Sequence, residues 1–241
     1  PTSVRVVATG NGNGEATLNV TFAHALQVVT SATVVVVEHE AFIIDAHPRP
    51  SFPGSGAMSE SVLSQIEETG VWQKARMELR SVLSDGHEIN VTNSGDFAAF
   101  VSGTETAETG VVSFAGADVN PIDVGVVDIV GSFGGSDSER FQMAVDAGSV
   151  WVTSLSTSFP ATFRGFAGEK TQQLAVSATF DDGTQYTNAL SIPDLLTFES
   201  SHPEKASISD TGLATLLENH NYAVFLSAAT KSDQSDAEAS S

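Results

Sequence analysis

The sequence predicts an all-β chain built from two antiparallel β-sandwiches in tandem, and three observations carry that reading. Short stretches alternate apolar with polar side chains, the period of a half-buried strand. Gly, Asp and Pro punctuate these stretches where a sheet would turn. Phrases also recur: "TGVVSF" (Thr109–Phe114) returns as "TGLATL" (Thr211–Leu216), and the neighbours of each return with it.

In chain order, residues 1–9 hold Val4, Val6 and Val7 in "VRVVATG", an echo of the strand that closes each later copy. They read as the closing strand of a preceding repeat, or as a strand donated to a neighbouring molecule, because a lone strand leaves its backbone groups unpaired. A hairpin through "GNGNGE" onto Leu18–Phe22 is the alternative. Residues 10–132 form the first copy. Its strand "MELRSVLSDG" (Met77–Gly86) puts Met77, Leu79 and Leu83 at apolar positions and ends at an Asp-Gly turn. Residues 133–230 form the second copy and repeat that strand as "LAVSATFDDG" (Leu174–Gly183), at an offset of 97.

The closing strands "VDIVGSFGG" (Val127–Gly135) and "VFLSAATKS" (Val224–Ser232) stand at the same offset of 97. Upstream, "NVTFAHALQVVTSAT" (Asn19–Thr33) resembles "QMAVDAGSVWVTSLS" (Gln142–Ser156) at an offset of 123. The fall from 123 to 97 gives the first copy 26 additional residues, placed at about 47–70. This insertion starts with the Pro-rich "HPRPSFP", read as a rigid loop or an extended partner ligand, and predicts a short helix over Glu60–Glu68. Residues 231–241 read as a polar linker or tail.

The second copy resembles the group-2 bacterial immunoglobulin-like domain over about Leu155–Thr230. Gly168 and Glu169 precede the alternating strand that begins at Leu174 and turns at Gly183. Ser200, Ser201 and Pro203 form a Ser-Ser-x-Pro step, followed by Ala206, Ile208, Gly212 and Leu213. The first copy departs from this pattern: it lacks the Gly-Glu pair and has "VSGTETAE" for the Ser-Ser-Pro step. The resemblance implies tandem immunoglobulin-like β-sandwiches, the first with a helical, Pro-rich insertion. It implies arrays on outer surfaces, as in bacterial adhesins and in eukaryotic surface and flagellar-hair (mastigoneme) proteins.

Composition narrows the function. Ten Lys and Arg face 30 Asp and Glu, for a formal net charge of -20. That surface repels nucleic-acid phosphates and anionic lipid. No Cys is present, which excludes disulfides and thiolate metal sites. No apolar run approaches the roughly 18 residues of a membrane span. Nucleophile elbows, zinc-protease pairs, P-loops and dinucleotide motifs are missing from the sequence. In "EHE", Glu38 and Glu40 would share one face of a strand and so form a candidate Ca²⁺ site. Asp181 and Asp182 at a hairpin turn are a second candidate; solvated charges and ordinary turn residues are the plainer readings. Asn19 and Asn90 each open a glycan acceptor sequon, with Asn90 beside a turn. The expectation is a non-catalytic extracellular structural or adhesion protein. Its partners are proteins: copies of itself, or neighbouring immunoglobulin-like domains in a filament. The alternative is a module that binds glycan or a partner protein through the first-copy insertion.

Overall fold

The computed structural model describes residues 14–21, 29–57, 61–103, 110–160, 162–220, 222–232 and 238–240. The first half contains β1 (Gly14–Thr21), β2 (Val29–Val36), β3 (His39–Arg49), β4 (Val62–Ile66), β5 (Val71–Trp72), β6 (Lys74–Leu83) and β7 (Glu88–Asn90). It continues with β8 (Phe97–Val101), β9 (Val112–Ala115), β10 (Asp118–Pro121), β11 (Gly125–Phe133), β12 (Ser136–Asp137) and β13 (Phe141–Val150). The second half contains β14 (Val152–Ser158), β15 (Thr171–Gln173), β16 (Ala175–Phe180), β17 (Gln185–Tyr186) and one 3₁₀ turn (Ala189–Ser191). Then come β18 (Leu196–Ser200), β19 (Ala206–Ile208), β20 (Leu213–Leu216), β21 (Leu226–Thr230) and β22 (Glu238–Ser240).

Strand β6 shows why the first half folds as a sandwich. Ala75, Met77 and Leu79 are fully buried, while Lys74, Arg76, Glu78 and Arg80 alternate outward. On that outer face Arg80 bridges Asp45 and Glu88, and Arg76 reaches Asp118 at 3.1 Å. The sheet runs β3-β6-β10-β9, with β7 also on β6. The facing sheet runs β12-β11-β13-β4-β5, with β8 on the other side of β11. Ile44, Met77, Leu79, Val119, Ile129 and Met143 fill the space between them. A Cβ on Gly131 of β11 would lie 2.9 Å from Leu79 Cδ1 and 3.1 Å from Ile44 Cδ1, so a larger residue there would have to push both side chains aside.

The second half repeats this layout. β14 pairs with β16, β15 with β20 and β20 with β19, while β18, β21 and β22 form the other sheet. Both halves therefore follow the A-B-E-D over C-F-G arrangement of immunoglobulin-like sandwiches. Phe180, Leu174, Val176 and Leu195 dominate the second core.

The duplication extends to irregular detail. Against β6, β3 bulges between His39 and Ala41; against β16, β14 bulges between Val152 and Ser154. Each bulge follows the same hydrogen-bond pair. Glu38 N donates to Ser84 Oγ at 3.1 Å and Ser84 N to Glu38 O at 2.8 Å. In the second half Trp151 N donates to Asp181 Oδ1 at 3.1 Å and Asp181 N to Trp151 O at 2.9 Å.

Three expectations are corrected. His39 pairs with Leu83 as Val152 pairs with Phe180, so the upstream offset is 113, not 123, and the insertion is 16 residues, not 26. Val and Ser repeat so often in these strands that a ten-residue slip still matched letters. The expected division after residue 132 assigns β13 to the second copy, whereas Met143 and Val145 lie in the first core. The stretch within Glu60–Glu68 is not helical: residues 62–66 are strand β4, paired parallel with β13. The free edge of β13 and two apolar cores for Leu63 and Ile66 outweigh the local helix propensity. The expected strand at Val4, Val6 and Val7 lies outside the described residues. What the structure describes before β3 is a two-stranded ribbon, β1 with β2.

Candidate functional site

The two sandwiches meet where β13 runs into β14 through the single residue Trp151. Continuity alone would leave a pivot. The β4–β5 hairpin removes it by touching both cores: Leu63 is buried in the first and Ile66 in the second, with Trp72 and Val71 packed likewise.

Glu67, directly after β4, is 2 % exposed and has φ +46°, a left-handed conformation that non-glycine residues seldom adopt. Its N–H donates to Val150 O at 2.9 Å, its carbonyl accepts from Ser149 Oγ at 3.1 Å, and Oε1 accepts from Val152 N at 3.0 Å. One side chain and its backbone thus hold the strand on both sides of Trp151. Gln73, 5 % exposed, makes the second clamp. Its Nε2 donates to Asp182 Oδ2 at 2.6 Å and to Thr184 Oγ1 at 3.0 Å, and its Oε1 accepts from Ser64 N at 3.2 Å. The Tyr186 hydroxyl completes the set, donating to Arg49 O at 3.3 Å. Beside these contacts lies a cleft of about 710 Å³ lined by Pro48, Phe52, Asp146, Val150 and Thr184.

Burial pushes the Tyr186 phenol up to about 12; the Asp182 charge adds to that, and a hydrogen bond with the Lys74 backbone opposes it. Because the folded value is raised, the stabilisation from the neutral phenol is whole below the ordinary value of 10.0 and is lost as pH climbs to about 12. The chain has two tyrosines, so Tyr222→Phe leaves Tyr186 alone to report. Its tyrosinate absorbance is expected to stay flat through pH 10 and to rise only toward 12; a midpoint near 10 would contradict the burial.

The structure disperses the sequence-predicted sites. Glu38 and Glu40 are exposed and share no strand face, because β3 begins at His39 and bulges at Glu40. Asp181 Oδ1 accepts from Trp151 N, and Asp182 Oδ1 accepts from Thr184 N and Oγ1 at 2.8 and 2.7 Å. These carboxylates organise a turn and the junction. Among the described residues, no three His, Asp or Glu converge as a metal site would require. Asn90 is exposed on β7, with its Oδ1 accepting from Thr92 N at 3.0 Å. Asn19 stands in β1 opposite Ser31.

Sequence reasoning missed Glu67, Gln73 and Tyr186, which acquire their roles only through contacts 85, 109 and 137 residues away. Exposed aromatics gather at the far end of the second sandwich and not at the insertion. There a cleft of about 310 Å³ is lined by Phe159, Phe163, Leu216, His220, Tyr222 and Phe225. The run "FPATFRGF" (Phe159–Phe166), aromatic but without strand alternation, was the available signal.

No protein-family model and no curated protein matches the chain in sequence. Among solved structures, the likenesses include surface layer protein SbsC, domains 1-6, at 12 % identity and TM-score 0.30, covering 90 % of this chain. The chain spans 31 % of the length of that structure. Invasin, a bacterial integrin-binding protein, is similar at 10 % identity and TM-score 0.29, over 91 % of this chain and 62 % of its own. The C-terminal 282-residue fragment of intimin, in complex with the intimin-binding domain of its translocated receptor, is similar at 10 % identity and TM-score 0.24. That match covers 74 % of this chain and 59 % of the intimin fragment.

Proposed function

We propose that this chain is a stiff, non-catalytic segment of an extracellular tandem array of immunoglobulin-like sandwiches, a spacer in a surface stalk or filament. Its modules divide at Trp151, and its partners are proteins, including other sandwiches of the same kind. The observation that carries this reading is the β4–β5 clamp at the junction. A spacer needs a fixed angle between modules, and here buried hydrogen bonds from Glu67 and Gln73 supply one, where an interdomain contact ordinarily permits motion. The charge of -20 suits an exposed, soluble surface. Antibodies raised against the chain are expected to label intact, unpermeabilised cells of the source organism. Labelling only after permeabilisation would overturn the reading.

A second reading, ligand capture by the first-copy insertion, draws on the 710 Å³ cleft beside it. Phe52 is the one aromatic in that lining, so the cleft offers little stacking surface for a sugar ring.

A further inference from the structure

We propose that the far end of the second sandwich is a docking surface for the first sandwich of a second copy of this chain, seated head to tail. The proposal rests on the tandem reading above and names the surface through which copies would join.

The first argument is continuity with the interface inside the chain. In the first sandwich, the segment between β3 and β6 leaves the far end and carries β4–β5 onto the next sandwich. The counterpart in the second sandwich, between β14 and β15, leaves the same end, and its described residues form no strand that could serve as a strap. It places Phe159 and Phe163 there instead, edge to face at 5.3 Å, with Phe166 80 % exposed. Phe225, Tyr222 and Leu217 add further exposed apolar surface. A cluster of this kind marks an interaction surface, because water contact with so many large side chains is costly.

The opposite end of the first sandwich has the form such a seat receives. Its Ser84–His87 turn reproduces the Asp181–Thr184 turn that the second sandwich presents to the strap. His87 N donates to Asp85 Oδ1 at 3.0 Å, as Thr184 N does to Asp182 Oδ1 at 2.8 Å. Asp182 Oδ2 receives Gln73, whereas the Asp85 carboxylate is exposed and, among the described residues, meets His87, at 3.0 Å from Nδ1.

Charge does not oppose this pairing. Glu38, Glu40 and Asp85 are exposed at the acidic end. The aromatic end is balanced: Arg164, Lys170 and Lys205 stand with Glu169, Glu204 and Glu218, Glu204 lying against His202 and Lys205 pairing with Glu218 at 2.6 Å.

Sedimentation velocity of the whole chain tests this at about 0.15 M salt, where screening over roughly 8 Å limits repulsion between acidic copies. The weight-average mass is expected to climb without a plateau as concentration rises, since a head-to-tail contact that does not close builds open chains. Tyr222→Ser with Phe225→Ser, and separately Glu38→Lys with Glu40→Lys, should each return the protein to monomer with unchanged melting. Because the chain has no cysteine, mixing Asp85→Cys with His220→Cys protein should give a disulfide-linked heterodimer. A monomer at every concentration, or oligomers indifferent to the aromatic substitutions, would overturn the proposal. Neither outcome touches the tandem reading, which the angle between the two sandwiches within one chain tests independently.

Discussion

Phe180→Ala is expected to destabilise the second sandwich by about 3–5 kcal/mol, the cost of removing a large buried aromatic and leaving a cavity. Phe180 ends β16, is 2 % exposed, and meets Tyr186 edge to face with centroids 5.5 Å apart. Such a ring pair adds roughly 0.5–1.5 kcal/mol beyond burial. Its strand partner is Val152, the first residue after the crossing, so the cavity opens directly beneath the junction. Urea unfolding followed by amide exchange should show a lower midpoint, with protection lost first around Leu174, Val176 and Leu195. A shift worth less than about 1 kcal/mol would mean that the site collapses and that Phe180 is not the anchor its burial implies.

Glu67→Ala is expected to loosen the angle between the sandwiches as well as lower stability. The substitution leaves the N–H of Val152, itself buried, without the Oε1 acceptor 3.0 Å away. Losing one such hydrogen bond costs about 0.5–1.5 kcal/mol. Glu67→Gln keeps an oxygen at that position and should recover most of the loss. Equal damage from both variants would show that charge, and not the hydrogen bond to Val152, is what the site requires.

Much of the architecture is legible in the sequence because it rests on short-range rules. The alternation of Met77, Leu79 and their neighbours specifies a one-sided strand, and the Asp-Gly turns at residues 85–86 and 182–183 specify where strands reverse. Both glycines have positive φ, the conformation those turns need. The junction was not legible. Whether Val62–Ile66 becomes helix or strand depends on the open edge of β13, about 80 residues later, which no local pattern encodes. Glu67 reads as one charge in an acidic run, "IEETG", and its burial follows only from the packing of Ile66 into the second core. The pairing of Glu38 with Glu40 failed for a similar reason: a bulge breaks the alternation on which it relied.

The angle across Trp151 is the most direct test of the account. Because the chain contains no cysteine, spin labels at Ser94→Cys and Asp210→Cys report one distance between the two sandwiches. Pulsed electron–electron resonance should give a single narrow distribution in the native chain and a broad one once Glu67→Ala and Gln73→Ala remove the clamp. A broad distribution in the native chain, with Glu67 and Gln73 intact, would contradict it.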